Sequence, residues 1–280
     1  MKENGKRRTL AGLLLAVCLL LCGTVLCTET QVNVFAAAKK TTTQKKTTKK
    51  TVMAKKPTNG WYTFPSGRKR YYKNGKYLTG LKKVRNRTYL FSSRGVMLTG
   101  TQKIKNKIYY LNDKGVLQAK KLGSRYYYAN GKKMSEKDAQ DFAALQRAKE
   151  IVSQITNDSM SSAQKLQTCF NWVIKKPYWT WRTFSNFSGW PAVYAMDHFD
   201  RGKGNCMSDA AAFGYLAKAL GYKNIYICVD SDGRGGSGHA WTEINGLVYD
   251  PLFAEAKNYS ANYGVPYGVY ILSPILHIAL

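Results

Sequence analysis

Gly238-His239-Ala240-Trp241-Thr242-Glu243-Ile244-Asn245-Gly246-Leu247-Val248-Tyr249-Asp250 is the stretch that decides the fold of the C-terminal half. Asn-Gly between two alternating runs is a favoured two-residue hairpin loop, because both loop residues need positive φ. That loop pairs Ile244 with Leu247 and sets Trp241 opposite Asp250. Side chains alternate across a strand, so His239, Trp241 and Asp250 share one face. His239 and Asp250 become diagonal neighbours about 7–8 Å apart at the backbone, within reach of each other's side chains. Moving either by one position would send it to the opposite face.

Upstream, Cys206 follows Gly202-Lys203-Gly204-Asn205. Ala210, Phe213, Leu216, Ala217 and Leu220 recur at helical spacing, and Gly221 closes the run. Cys206 therefore opens a helix, where free N–H groups and the helix dipole favour a thiolate. The same N–H groups suit a developing oxyanion. A thiol, an imidazole that deprotonates it and a carboxylate that orients the imidazole make a nucleophilic triad of Cys206, His239 and Asp250. Cys169 and Cys228 fall on apolar helix and strand positions and read as inert buried thiols. Asp230-Ser231-Asp232-Gly233 lacks the later ligands of a calcium loop, so no metal and no cofactor are expected. His198 and His277 have no partner pattern and read as structural or solvent-facing.

Around these residues the expected elements are a helix from Ser135 with a cap-like Asp138, a second helix from about Ser161 to Lys175, and the Cys206 helix. A strand over 224–230, the 239–250 hairpin and a last strand near Tyr267 to Leu272 follow. Helices first and an antiparallel sheet after them is an α+β arrangement. Gly204-Asn205-Cys206, Ala210 with Phe213, Leu220-Gly221, Gly238-His239-Ala240-Trp241 and Tyr249-Asp250-Pro251 resemble the transglutaminase-like, papain-related superfamily. Trp172-Val173 with Tyr178 is similar to its preceding helix. The resemblance spans about 165–252 and implies a papain/transglutaminase-like core. It also implies amide acyl transfer through a thioester on Cys206, with a peptide or protein substrate. Trp241 is expected to wall the site. Ser208 and Asp209 depart from the family pattern, which has Gly and an aromatic there.

The N-terminal half is a different kind of chain. The net charge of +28 is concentrated there: residues 57–134 carry 19 Lys/Arg against the single acid Asp113. Residues 135–280 carry 13 of each sign. Residues 1–38, with Lys2, Lys6, Arg7 and Arg8 before the apolar run Leu10 to Leu26 and then Ala36-Ala37-Ala38, read as a secretory signal. The rival reading is a retained membrane anchor; after signal cleavage no stable membrane insertion is expected. Residues 39–60 are a Lys/Thr-rich linker that self-repels and extends. An exported basic tract rarely meets nucleic acid, so none is expected as a partner.

Residues 61–134 repeat, with Gly75, Gly95 and Gly115 spaced by 20, as are Gly80 and Gly100. Tyrosines precede each turn glycine, and Asn74-Gly75 and Asn130-Gly131 are hairpin turns. One hairpin cannot bury its own face, so the units stack into a β-hairpin solenoid. Gly60-Trp61 and Tyr71-Tyr72-Lys73-Asn74-Gly75 resemble the cell-wall-binding, choline-binding-like repeats of bacterial surface proteins. Trp61 is the only tryptophan among them, and a quaternary ammonium is repelled by so basic a surface. An anionic cell-wall polymer, teichoic acid or peptidoglycan, is therefore the expected ligand, with Trp61, Tyr72, Tyr110 and Tyr128 as its contacts. Residues 135–280 then form the catalytic domain of a protein secreted to the bacterial cell wall surface. The competing expectation is a catalytically inactive surface protein that only binds wall polymer or peptide.

Overall fold

The computed structural model describes residues 55–234 and 238–280. The expected signal segment, the linker as far as residue 54, and Gly235, Gly236 and Ser237 lie outside the described residues. Among the described residues no helix is long and apolar enough to cross a membrane.

The basic repeats are antiparallel hairpins. β1 (Gly60–Thr63), β2 (Lys69–Lys73) and β3 (Lys76–Tyr77) form one sheet, and β4 (Gly80–Val84) pairs with β5 (Arg87–Phe91). β6 (Gly100–Ile104), β7 (Lys107–Leu111), β8 (Leu117–Leu122) and β9 (Arg125–Tyr128) form a third sheet in that order. The 20-residue spacing has a packing cause. A Cβ on Gly95 would strike the Tyr77 ring, and a Cβ on Gly115 would strike Met97, so these two turn glycines lie beneath a side chain of an earlier unit, whereas Gly75 stands clear. Asn74 and Gly75 both have positive φ, 51° and 75°, as the tight turn requires. Two further tight loops, Arg85-Asn86 and Lys105-Asn106, carry no Gly and escaped the sequence reading, although Arg85 and Lys105 reach φ of 52° and 53°.

In the C-terminal region, α1 (Glu136–Ile155), α2 (Ser162–Ile174) and α3 (Trp190–Arg201) surround α4 (Cys206–Leu220). β10 (Ile225–Val229), β11 (Ala240–Ile244), β12 (Leu247–Tyr249), a short α5 (Pro251–Ala256), β13 (Tyr263–Val265) and β14 (Leu276–Ala279) complete it. The sheet is antiparallel in the order β13-β12-β11-β10-β14. The fold is thus α+β, with β-hairpin repeats ahead of a helical and sheet region. Ser135 caps α1, its hydroxyl accepting from the Asp138 N–H, and Ser161 with Gln164 makes a full capping box on α2. α4 is buried from Cys206 to Ala217, so it is the axis of the core.

Two expectations fail here. The sequence reading passed over α3, whose Trp190, Tyr194, Asp197, His198 and Phe199 are all buried. Val193, Met196 and Asp200 form its outer face, and Asp197 and His198 interrupt the buried one, so the polar and apolar sides are mixed in the sequence. The expected last strand at Tyr267–Leu272 is instead a turn, with the Tyr270 N–H on the Pro266 carbonyl at 3.1 Å. The last strands lie on either side of it, at β13 and β14.

The repeats lie directly against α1. Tyr110 stacks on Tyr126 at 6.2 Å and meets Phe142 of α1 edge-on at 4.9 Å, and the Tyr128 hydroxyl donates to Asp138 at 2.7 Å. Tyr110→Ala should open a cavity at this junction and cost about 3 kcal/mol of stability, which urea unfolding followed by fluorescence will measure.

Candidate functional site

Cys206 is the first residue of α4 because Asn205 is a good cap: its side chain accepts from the Ser208 N–H at 3.3 Å. Gly204 before it must lack a Cβ, which would meet the Ser208 side chain and His198. At this end of the helix the N–H groups have no carbonyl of their own turn to bond. Cys206 is nearly buried, at 7 % exposure, with its Sγ 3.7 Å from the Gly238 carbonyl oxygen.

The Asn245-Gly246 loop has positive φ at both residues, 53° and 82°, and pairs Ile244 with Leu247 as expected. Asp250 lies just past β12 and caps α5, its Oδ1 accepting the Phe253 N–H at 3.0 Å. His239 Nε2 is 2.6 Å from Asp250 Oδ2. Since Asp250 accepts there, Nε2 carries the donated proton and Nδ1 is the ring nitrogen left for sulfur. Phe253 stacks on the imidazole at 4.0 Å and 12°, fixing the ring plane. Burial by itself lowers the His239 pKa, but hydrogen bonds with Asp250 and Cys206 outweigh it and lift the value to about 9. The structure therefore brings Cys206, His239 and Asp250 together. Burial pushes Cys169 and Cys228 up to about 12, so both are held as thiols.

Sequence reasoning missed several neighbours. The Tyr270 hydroxyl donates to Asp250 Oδ2 at 2.6 Å, so the fully buried carboxylate has three donors. Tyr270 sits in the turn between β13 and β14, and nothing local in the sequence marks it. Ser208 and Asp209, the departures from the family pattern, tie α4 to α3. The Ser208 hydroxyl donates to Asp197 at 3.0 Å, Asp197 holds Arg182 in a two-pronged pair at 2.7 and 2.8 Å, and Asp209 meets His198 Nε2 at 2.5 Å. Burial raises Asp209 to about 6 despite that bond with His198. An aromatic ridge of Tyr178, Trp179 and Trp181 is exposed beside the Cys206 turn, with the Trp179 N–H on the Gly204 carbonyl at 2.7 Å.

Trp241 needs correcting. It shares the His239 face, as the register demands, but is fully buried, with its Nε1–H on the Tyr267 hydroxyl at 3.1 Å. The turn carrying Tyr267 and Tyr270 covers it, so it backs the site instead of walling a cleft. In the repeats only one of the four expected wall contacts stands open. Trp61 is 38 % exposed and, with Tyr89 and Met97, lines a concavity of about 920 Å³ rimmed by Arg68, Lys69 and Lys114 and by the single acid Asp113. Tyr72 is buried between Tyr62 and Tyr77, while Tyr110 and Tyr128 are engaged at α1. Neighbouring hairpin aromatics thus cover Tyr72, whereas the packing of α1 on the last hairpins engages Tyr110 and the half-buried Tyr128.

A thiol at a helix N-terminus facing an imidazole on an antiparallel sheet defines a cysteine-type α+β core. Residues 146–253 match the family model of the transglutaminase-like superfamily, and residues 78–121 match that of the choline-binding repeat. The chain thus carries a transglutaminase-like domain preceded by choline-binding repeats. No curated protein matches it. Among solved structures, the choline binding domain of Spr1274 in Streptococcus pneumoniae is 32% identical over 22% of this chain and 94% of its own, with a TM-score of 0.20. Choline binding protein F of the same organism is 32% identical over 28% of each chain, with a TM-score of 0.22. An alternansucrase is 23% identical over 27% of this chain, with a TM-score of 0.22, and this chain covers only 6% of its length.

The geometry predicts how His239 titrates. Because its folded value lies above the ordinary 6.5, the stability it contributes is complete below about pH 6.5 and is lost as pH rises through about 9. Asp250→Asn removes the leading hydrogen-bond cause of that rise, so the ring should titrate below pH 9, nearer its ordinary value. NMR titration of the His239 ring checks this.

Proposed function

We propose that the protein is a secreted, cell-wall-associated cysteine enzyme that transfers or hydrolyses acyl groups at amide bonds. The observation that carries the reading is the His239 ring, 2.6 Å from Asp250 Oδ2, beside Cys206 at the head of α4, whose Sγ lies 3.7 Å from the carbonyl oxygen of Gly238. The transglutaminase-like match over 146–253 supports it.

In this reading His239 Nδ1 takes the proton of Cys206, and the imidazolium, with its value near 9, remains charged at neutral pH. Sγ attacks the amide carbon, and the oxygen takes up the negative charge near the free N–H groups of the helix start. As the C–N bond breaks, the imidazolium gives its proton to the leaving amine and a thioester remains. Water, deprotonated by His239, then releases an acid; an amine in its place forms a new amide. Asp250 holds Nε2–H throughout and keeps the tautomer fixed. The exposed ridge of Trp179 and Trp181, hydrogen-bonded to the Cys206 turn, is the surface on which a peptide substrate rests. The domain limits follow the same reading: 61–134 binds wall and 135–280 does chemistry, after a signal over 1–38 and a linker over 39–60.

The wall ligand is an anionic polymer. Trp61, Tyr89 and Met97 supply an apolar floor, and Arg68, Lys69 and Lys114 supply charge for phosphate or carboxylate. The choline-binding repeat match supports attachment to the wall. Whether a peptidase or a cross-linker results depends on which nucleophile reaches the thioester.

An alkylating probe at neutral pH should label Cys206 far faster than Cys169 or Cys228, and Cys206→Ala should abolish both labelling and turnover. A labelled primary amine offered with a glutamine peptide then separates transfer from hydrolysis. Labelling no faster at Cys206 than at the buried thiols would make the protein a non-catalytic binder.

Retention on isolated walls should fall steeply between low and physiological salt, because exposed charges are screened beyond about 8 Å at 0.15 M. Retention that ignores salt and is competed by free choline would replace the anionic ligand with a quaternary ammonium.

A further inference from the structure

On the sheet face that carries His239, the far edge holds a second cluster that takes no part in the acyl chemistry. Cys228 on β10 is in register with His277 on β14 and with Trp241 on β11, and Glu243 lies two residues beyond Trp241. Three adjacent strands therefore deliver a sulfur, an imidazole and a carboxylate to one spot. His277 Nε2 is 2.9 Å from Glu243 Oε2, and Cys228 Sγ is 4.0 Å from the same oxygen. All three donor atoms lie within 4.8 Å of one another.

We propose that Cys228, Glu243 and His277 form a structural zinc site that fastens the last strand to the sheet. A tetrahedral zinc holds sulfur at about 2.3 Å and nitrogen or oxygen at about 2.0–2.2 Å. Donor atoms around such an ion stand about 3.3–3.6 Å apart, so the widest pair, at up to 4.8 Å, must close by little more than an ångström while the 2.9 Å pair opens slightly. The Tyr267 hydroxyl, 3.0 Å from Glu243 Oε2 and 3.5 Å from Cys228 Sγ, marks the fourth position for itself or a water. Surrounding groups already fix the ligands: Tyr226 stacks on the His277 ring at 4.0 Å and 11°, and Trp241 Nε1–H holds Tyr267 at 3.1 Å. Orienting contacts of this kind are what metal ligands require.

The donor set selects the ion. A thiolate disfavours calcium and magnesium, whereas sulfur, imidazole and carboxylate together suit zinc. The charges balance as well, since one thiolate and one carboxylate neutralise the dication beside a neutral imidazole. Binding forms a zinc–sulfur bond and sends the Cys228 thiol proton to solvent, with no change of oxidation state. His277 is the half-exposed member and gives the ion its way in, while Cys228 is fully buried. The ligands are 15 and 34 residues apart along the chain, which is why no metal spacing showed in the sequence.

The test uses the full chain carrying Cys206→Ala, which removes the triad thiol as a competing ligand. Zinc alone is titrated by calorimetry, and cobalt alone is followed by absorbance. One equivalent should bind, cobalt should give a thiolate charge-transfer band, and zinc should raise Tm. Adding His277→Ala, at an exposed position that the fold tolerates, should weaken zinc binding by about 100-fold or more. Cys228→Ser should abolish the cobalt band. No binding in the Cys206→Ala chain, or affinity unchanged by His277→Ala, overturns the site.

Discussion

A carboxylate with no exposed surface is costly unless every lone pair is answered, and Asp250 is answered by groups from three parts of the chain. His239 arrives from β11, the Phe253 N–H from α5 and the Tyr270 hydroxyl from the turn before β14. Removing any donor strands a buried acceptor, which costs about 1–3 kcal/mol. The carboxylate is therefore a constraint on the whole C-terminal sheet. It dictates that α5 start where it does, that the chain turn between β13 and β14 as it does, and that the imidazole point toward the head of α4.

Both faces of β11 follow from one register. Ala240, Thr242 and Ile244 point at α4, with the Thr242 hydroxyl on the Ala210 carbonyl at 2.7 Å. Trp241 points the other way, into a smaller cluster with Cys228, Val248 and Tyr270, and Glu243 lies on that face too. A slip of one residue would drive Trp241 and Glu243 into the α4 core and expose Ile244. The Asn245-Gly246 turn prevents that slip locally, and the α4 contact prevents it globally.

This double support explains what could be read in advance. The hairpin register and the helix opening at Cys206 are set by residues within a few positions of the site, so the sequence carried them in full. Tyr270 and the Arg182–Asp197–Ser208 chain are set by packing between elements far apart in sequence, where no period or spacing survives. The stretch Tyr267–Leu272 looks strand-like because aromatics alternate with small and branched residues. Pro266 and Pro274 bracket it, and the bend they favour spends its tyrosines on Trp241 and Asp250 instead of on a ladder. In the repeats the 20-residue glycine period was plain, whereas the inward burial of Tyr72 and Tyr110 depends on which strand face meets the next hairpin.

Proximity of thiol and imidazole alone does not make a reactive pair, because burial works against the charged imidazole. At 13 % side-chain exposure, His239 would lose its proton readily if desolvation acted alone. Asp250 and Cys206 together reverse that balance, and Tyr270 and the α5 cap hold the Asp250 carboxyl group in position. The chain of cause therefore runs outward from sulfur to imidazole to carboxylate, and then to a tyrosine in a turn. The two outer links are short hydrogen bonds of 2.6 Å each, and together they fix the imidazole beside the sulfur.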